Sequence, residues 1–164
     1  MNKRNLLIVA LCVLATMLFS ISCDHSEHDS ANIDLVEKAI LEIYNNRNLD
    51  LADEIVATDA ILQDNQTKSQ GTGPEAIKQN VKWNMGYAPD FKLTINDIFT
   101  SGDKVAVQWT YSGTSEEFNK EFKFVGIAIV HCKDGKITNI LRTHNWADVY
   151  SQLGFTITPP QASE

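Results

Sequence analysis

Apolar residues recur along this chain with two different periods, and the change from one to the other divides it. Over residues 33–46, Val36, Ala39, Ile40, Ile43 and Tyr44 repeat at helical spacing, with Glu37, Lys38 and Glu42 on the opposite side. Asn45-Asn46-Arg47-Asn48 ends that helix. A short second helix is predicted over 51–57, with Asp50 placed to cap it, and 59–63 reads as a short strand. Residues 64–73 are polar and rich in turn formers, which predicts a loop, either a plain connection or a lid over a cavity. Pro74 opens a third helix at the first-turn position, where its missing N–H costs nothing, and Ile77 and Val81 mark the inner face. Residues 86–90 break it.

From residue 91 onward the period is two. Phe91, Leu93 and Ile95 alternate with Lys92, Thr94 and Asn96, the pattern of a half-buried strand over 91–99. Gly102-Asp103 turns the chain into a second strand with Val105, Val107, Trp109 and Tyr111 on one face. A polar loop over 113–119 leads to a long apolar strand, 122–132. The Asp134-Gly135 turn and a return strand, 137 to about 146, follow, then Gln152-Leu153-Gly154. Asp-Gly between apolar runs is a strong hairpin signal, because both turn residues tolerate positive φ. Helices first and an antiparallel meander afterwards predict an α+β domain, with the helices packed on one face of the sheet.

A two-residue turn pairs Lys133 with Lys136 and sets the hairpin's faces. One face then carries Phe124, Gly126, Ala128, Val130, Cys132, Ile137, Asn139, Leu141, Thr143 and Asn145. The other carries Val125, Ile127, Ile129, His131, Thr138, Ile140, Arg142, His144 and Trp146. Both have apolar centres, so both are expected to be covered. Side-chain size and polarity favour the first as a cavity wall, with Asn139 and Thr143 among its few polar groups, and the second as a contact with another copy of the chain. Arg142 and His144 share the second face. They read either as an anion-binding or acid/base pair, or as an interface salt bridge beside a structural histidine. Trp83, Tyr87, Asp97, Trp109 and Tyr111 read either as pocket lining or as core.

The beginning of the chain is of another kind. Lys3 and Arg4 precede an apolar run, 6–19, too short to span a bilayer comfortably, which ends in Phe19-Ser20-Ile21-Ser22-Cys23. Residues 1–22 read as a signal segment. Small residues before Cys23 resemble a bacterial lipobox, which would make Cys23 the lipidated mature N-terminus at the cell envelope, the only membrane attachment expected. Polar residues 23–31, including His25 and His28, read as a tether. The domain itself is read as 32–158, with a tail over 159–164.

Charge and cysteine usage narrow the function. Removing residues 1–22, which carry Lys3 and Arg4 and no acid, takes the formal charge from −7 to −9. Such a domain, with no basic cluster, is a poor partner for nucleic acid or anionic lipid. Only Cys132 remains in the domain, so no intramolecular disulfide is expected. Without a CxxC, an HExxH or a His–Cys cluster, no metal site is expected either.

Several pieces occur in a familiar order: Gly73-Pro74-Glu75-Ala76-Ile77, then Pro89 through Ile95, Gly102 through Trp109, and Ser112-Gly113-Thr114. Asp134-Gly135-Lys136-Ile137 and Gln152-Leu153-Gly154 complete the set. Together they resemble the SnoaL-like polyketide cyclases, or ester cyclases, of the nuclear transport factor 2 superfamily. The resemblance implies a cone of helices closing over a curved antiparallel sheet, a pocket inside, and often a homodimer through the sheet's outer face. It also implies cofactor-free chemistry, with an aspartate as general acid/base on the last strand. In this chain Asn145 stands there, with Asp148 three residues on and His144 beside it. An amide cannot shuttle a proton as a carboxylate does.

The candidate catalytic residues are therefore Asn145, Asp148 and His144, and the candidate ligand-binding residues Trp83, Tyr87, Trp109, Asn139, Thr143 and Arg142. Two function classes follow: an envelope-anchored module binding a small apolar or carbonyl-containing ligand, and a cofactor-free cyclase or isomerase-type enzyme. One structural feature separates them. A buried carboxylate with a polar partner facing a cavity favours the enzyme, and a cavity with no titratable group excludes it.

Overall fold

The computed structural model describes residues 29–65, 68–156 and 158. The signal segment, Cys23 and the terminal tail lie outside them. Helix α1 covers residues 29–45: 29–38 are α-helical, and Ala39–Asn45 continue as a π-helix. It begins inside the stretch read as tether. Next come α2 (Leu51–Ile55), β1 (Val56–Asp64), β2 (Ser69–Thr72), α3 (Gly73–Tyr87), β3 (Lys92–Ser101), β4 (Lys104–Ser115), β5 (Lys120–Lys133), β6 (Lys136–His144) and α4 (Trp146–Leu153). This is an α+β fold, as the change of period predicts.

The six strands form one sheet in the order β2-β1-β6-β5-β4-β3. Every neighbouring pair is antiparallel except β1 and β6, which run parallel. The sequence pattern carries no sign of that parallel pair, since it joins segments far apart in the chain. Bulges in β3 and β6 and an irregularity in β1 bend the sheet. Its inner face buries Val105, Val107, Trp109 and Tyr111 of β4 and Phe122, Phe124, Ala128 and Val130 of β5 against Val36, Ile40 and Ile43 of α1 and Ile77 and Val81 of α3. The alternation in β4 thus predicts its buried side correctly.

Four local expectations change. Asp50 adopts helical geometry itself and makes no side-chain cap, because backbone bonds from Ala52 to Leu49 and Asp53 to Asp50 already form the turn. Residues 56–57 join the strand rather than the helix. The supposed loop over 64–73 contains β2, which folds back on β1 with Ile61 opposite Thr72. After residue 144 the strand stops, and Asn145 starts a helix instead.

The hairpin is where a small departure matters most. Lys133 does face Lys136, yet Cys132 pairs with Ile137 while His131 pairs with Asn139, so Thr138 is an extra residue in β6. A one-residue shift moves every later side chain to the other side of the sheet. Val130 now pairs with Ile140, Ala128 with Arg142 and Gly126 with His144. The expected faces hold for β5 and are exchanged for most of β6: Ile140, Arg142 and His144 turn inward, Asn139, Leu141 and Thr143 outward.

Candidate functional site

Between the helices and the sheet lies a cavity of about 490 Å³, within the range of small-molecule sites. Most of its wall is aliphatic or aromatic. The polar part is one cluster drawn from four elements: Tyr44 of α1, Asp64 of β1, Asn80 and Asn84 of α3, and Arg142 and His144 of β6.

Asp64 is the last residue of β1 and only 2% exposed. It pairs in register with Arg142 across the parallel ladder. Arg142 Nε donates to Asp64 Oδ2 at 3.1 Å, and Nη1 donates to Asn80 Oδ1 at 2.9 Å. The Tyr44 hydroxyl donates to the same Oδ1 at 3.3 Å. With that oxygen occupied, the NH₂ of Asn80 is the part of its side chain left to meet a ligand. The Asn84 amide, bonded to the Asn80 carbonyl at 2.7 Å, braces this turn of α3. Burial raises the Tyr44 phenol above its ordinary value, against the pull of Arg142, so it stays protonated.

His144 is the titratable group with the most to offer. Its Nδ1 lies 3.8 Å from Asp64 Oδ2, an electrostatic contact too long for a hydrogen bond. The ring stacks on Phe124 at 5.0 Å and meets Trp146 edge-on at 5.1 Å. Burial lowers its pKa, Asp64 pulls it back up, and Arg142 pushes it down again. The net shift is downward, so the imidazole is neutral near pH 7 and able to accept a proton.

Aromatic rings form the rest of the wall. Trp83 stacks on Tyr87 at 5.3 Å and meets Trp146 edge-on at 6.0 Å. At 52% exposure it marks the cavity's rim. The Trp109 indole lies against its register partner Gly126, where a Cβ would come within 2.4 Å of the ring. Only glycine admits that approach.

The residues singled out in the sequence divide between inside and outside. Trp83, Tyr87, Trp109, Arg142 and His144 line the cavity. Asn139 and Thr143 lie on the other face of β6, and Asp97 is exposed beyond the β3 bulge. Asn145 is exposed and caps α4, its Oδ1 accepting from the N–H groups of Ala147 (3.1 Å) and Asp148 (3.4 Å). Asp148 is exposed in the first turn of that helix. The sequence pattern places Tyr44 only on the apolar stripe of α1, and it gives Asp64 and Asn80 no role at the site. Asp64 sits two residues beyond Leu62 and four beyond Ala60, both buried, so period-two counting places it on the inner face. Asn80 falls between Ile77, Val81 and Asn84 on the buried stripe of α3. Among the described residues, no group of three or more His, Cys, Asp or Glu is placed to hold a metal ion.

The family model of SnoaL-like polyketide cyclases matches residues 34–153. The chain belongs to the SnoaL-like polyketide cyclase family. No curated protein matches it significantly. Among solved structures, a SnoaL-like polyketide cyclase from Jannaschia sp. superposes with a TM-score of 0.71 at 13% identity, over 81% of this chain and 96% of that one. IdmH from Streptomyces antibioticus, described as a polyketide cyclase, gives 0.69 at 22%, over 76% and 99%. A protein of ketosteroid isomerase-like fold from Catenulispora acidiphila, solved with trimethylamine, gives 0.68 at 19%, over 76% and 97%. At these identities the likeness is one of fold: helices over a curved sheet, as in the nuclear transport factor 2 superfamily. The SnoaL-like domain here carries its buried carboxylate on β1, at Asp64, rather than at the end of the last strand.

Proposed function

We propose that this SnoaL-like domain is a cofactor-independent acid–base catalyst acting on a small, neutral carbonyl compound, of the cyclase or isomerase type. The observation that carries the reading is the His144–Asp64 pair in the wall of an otherwise apolar cavity. His144 is the base that takes a proton from carbon next to a carbonyl. Asp64, 3.8 Å away, stabilises the imidazolium that forms. Arg142 and the Asn80 amide donate to the oxygen on which negative charge develops. The proton then returns from His144 to carbon or oxygen, which completes an isomerisation or an aldol-type closure.

The first test uses 1-tetralone in D₂O, with exchange of its α-protons followed by NMR. The domain should accelerate exchange and His144→Phe should not. A wild-type rate equal to buffer would overturn the catalytic reading. Unaltered ligand retention, followed by mass spectrometry, would then leave a binding module. That second reading has support in the His144 Nε2, which has no solvent contact.

Two further proposals concern setting. The sequence of residues 1–23 favours export and lipid attachment at Cys23, which would hold the domain at the bacterial envelope. Cys23→Ser should move the protein from the membrane to the soluble fraction, and retention in the membrane would count against lipidation. The outer sheet face presents Phe99, Val125, Ile127 and Ile129, all at least 42% exposed. A second copy of the chain, offering the same patch, would cover them in a two-fold dimer.

A further inference from the structure

The rim of the cavity continues onto the surface as two short ladders of rings. Trp83 and Tyr87 stand one turn apart on α3, and Trp146 and Tyr150 one turn apart on α4, so each pair shares a helix face. Trp83 stacks on Tyr87 at 5.3 Å and Trp146 on Tyr150 at 6.1 Å. The ladders meet where Trp146 stands edge-on to Trp83 (6.0 Å) and to Tyr87 (6.3 Å). Past the end of α4 the row goes on, with Phe155 edge-on to Tyr150 at 5.6 Å and to Phe118 at 5.2 Å. Trp83, Tyr150 and Phe155 are each at least 46% exposed. A connected run of large rings left open at the surface marks a docking site.

The course of the chain says what lies nearest to it. Phe155 is the last ring of the row and also the start of the C-terminal segment, Thr156-Ile157-Thr158-Pro159-Pro160 and onward. Helix α4 ends at Gly154, with φ of 101°, and the Phe155 N–H bonds back to the Tyr150 carbonyl at 2.9 Å. That closure turns the chain off the helix axis beside Tyr150. Two successive prolines favour the polyproline II form, which is extended before it binds and so loses little entropy in an aromatic groove. At about 3.1 Å per residue, the five residues after Phe155 span roughly 15 Å. Steps of 5.6, 6.1 and 6.0 Å lead from Phe155 through Tyr150 and Trp146 to Trp83. The prolines thus have the reach to come level with Trp146 and Trp83. A segment tied this closely is present at an effective concentration on the order of millimolar, so even weak stacking holds it.

We propose that this aromatic row is the seat of the chain's own C-terminal segment, with Pro159 and Pro160 across Trp146 and Trp83 at the cavity's rim. The seated segment covers rings that otherwise face water, and it stands in the path of a molecule entering past Trp83. Its effect on entry rests on the reading of the cavity as a small-molecule site; the seating itself does not.

Acrylamide quenching of tryptophan emission tests the seat without any ligand. Deletion of residues 157–164 should roughly double the quenching, as Trp83 and Trp146 lose their cover. The Tm should barely move, since the segment follows the last buried residue of α4, Leu153. Pro159→Gly combined with Pro160→Gly should reproduce most of the rise, and it carries the test if the deletion melts the fold. Trp83→Phe should remove most of the difference between the full and shortened chains. A synthetic peptide of residues 156–164, added to the shortened protein at about millimolar concentration, should restore the protection. Quenching that neither the deletion nor the proline variant changes would overturn the proposal. A dimer lost on deletion, seen by sedimentation, would seat the segment on a second copy and overturn its placement within one chain. A quenching difference without any exchange on 1-tetralone would uphold the seat while removing the catalytic reading.

Discussion

Asp64 and Arg142 are register partners in the parallel pair of strands, and their side chains close a 3.1 Å ion pair at the cavity wall. Asp64 is the more deeply buried partner, so the arrangement is sensitive to loss of the guanidinium. Arg142→Met should destabilise the fold by about 2–4 kcal/mol, since a buried carboxylate loses its principal counter-charge. Asp64→Asn combined with Arg142→Met should recover part of that loss. Urea unfolding of the two variants checks it, and a double variant less stable than the single one would contradict the account.

His144 makes stability depend on pH in a defined direction. Its folded pKa is lowered from the ordinary 6.5, chiefly by burial. Just below that value the unfolded chain holds a proton that the folded chain refuses, so stability rises with pH there. The contribution is fully present above 6.5 and is lost as pH falls through the lowered folded value. Thermal melts between about pH 7 and 5 should therefore show a fall in Tm that His144→Phe reduces. The same shift predicts that proton exchange on 1-tetralone reaches its plateau below pH 6.5.

Gly126→Ala places a methyl group against the Trp109 indole, 2.4 Å from Cζ2. Both neighbours are strand-bound, so the indole must swing into the cavity or the strands must part. A cost of about 1–3 kcal/mol is expected. Tryptophan emission should shift with it, and unchanged stability and emission would mean that the indole has room this geometry does not show.

Asn145 separates a capping role from a catalytic one. Asn145→Asp keeps an oxygen for the Ala147 and Asp148 N–H groups and should leave stability and ligand retention near wild type. Asn145→Ala should cost about 1 kcal/mol through fraying of α4. Turnover gained by the aspartate variant would return this position to the chemistry.

Ile127→Glu places a charge at the centre of the outer apolar patch, beside Val125 and Ile129. If that face joins two copies, sedimentation should show a dimer for the wild type and a monomer for the variant, with the cavity still binding. A monomeric wild type would remove the dimer proposal.

Strand β4 was legible because its pairing with β5 is unbroken: Val105, Val107, Trp109 and Tyr111 alternate in sequence and in burial alike. Strand β6 was not. Thr138 looks like any strand residue, and only its failure to find a partner opposite reveals the bulge. The exchange of Asn139 and Thr143 for Arg142 and His144 follows from that one position. Helix α4 was legible in principle, since Asn145 at its start and Gly154 at its end, with φ of 101°, form a recognised pair of signals. Reading the segment as strand obscured them. Asp64 was hidden by the polar residues that follow it, although its spacing from Ala60 and Leu62 already pointed inward.

The polar cluster joins residues 78 and 62 positions apart, Asp64 with Arg142 and Asn80 with Arg142. Contacts that distant close large loops of the chain. A molecule that has paired β3, β4 and β5 yet left β1 undocked would possess most of the aromatic wall and none of the counter-ion. A polar ligand that needs Asp64 would therefore require β1 to be seated beside β6, and its occupancy would report on that long-range docking.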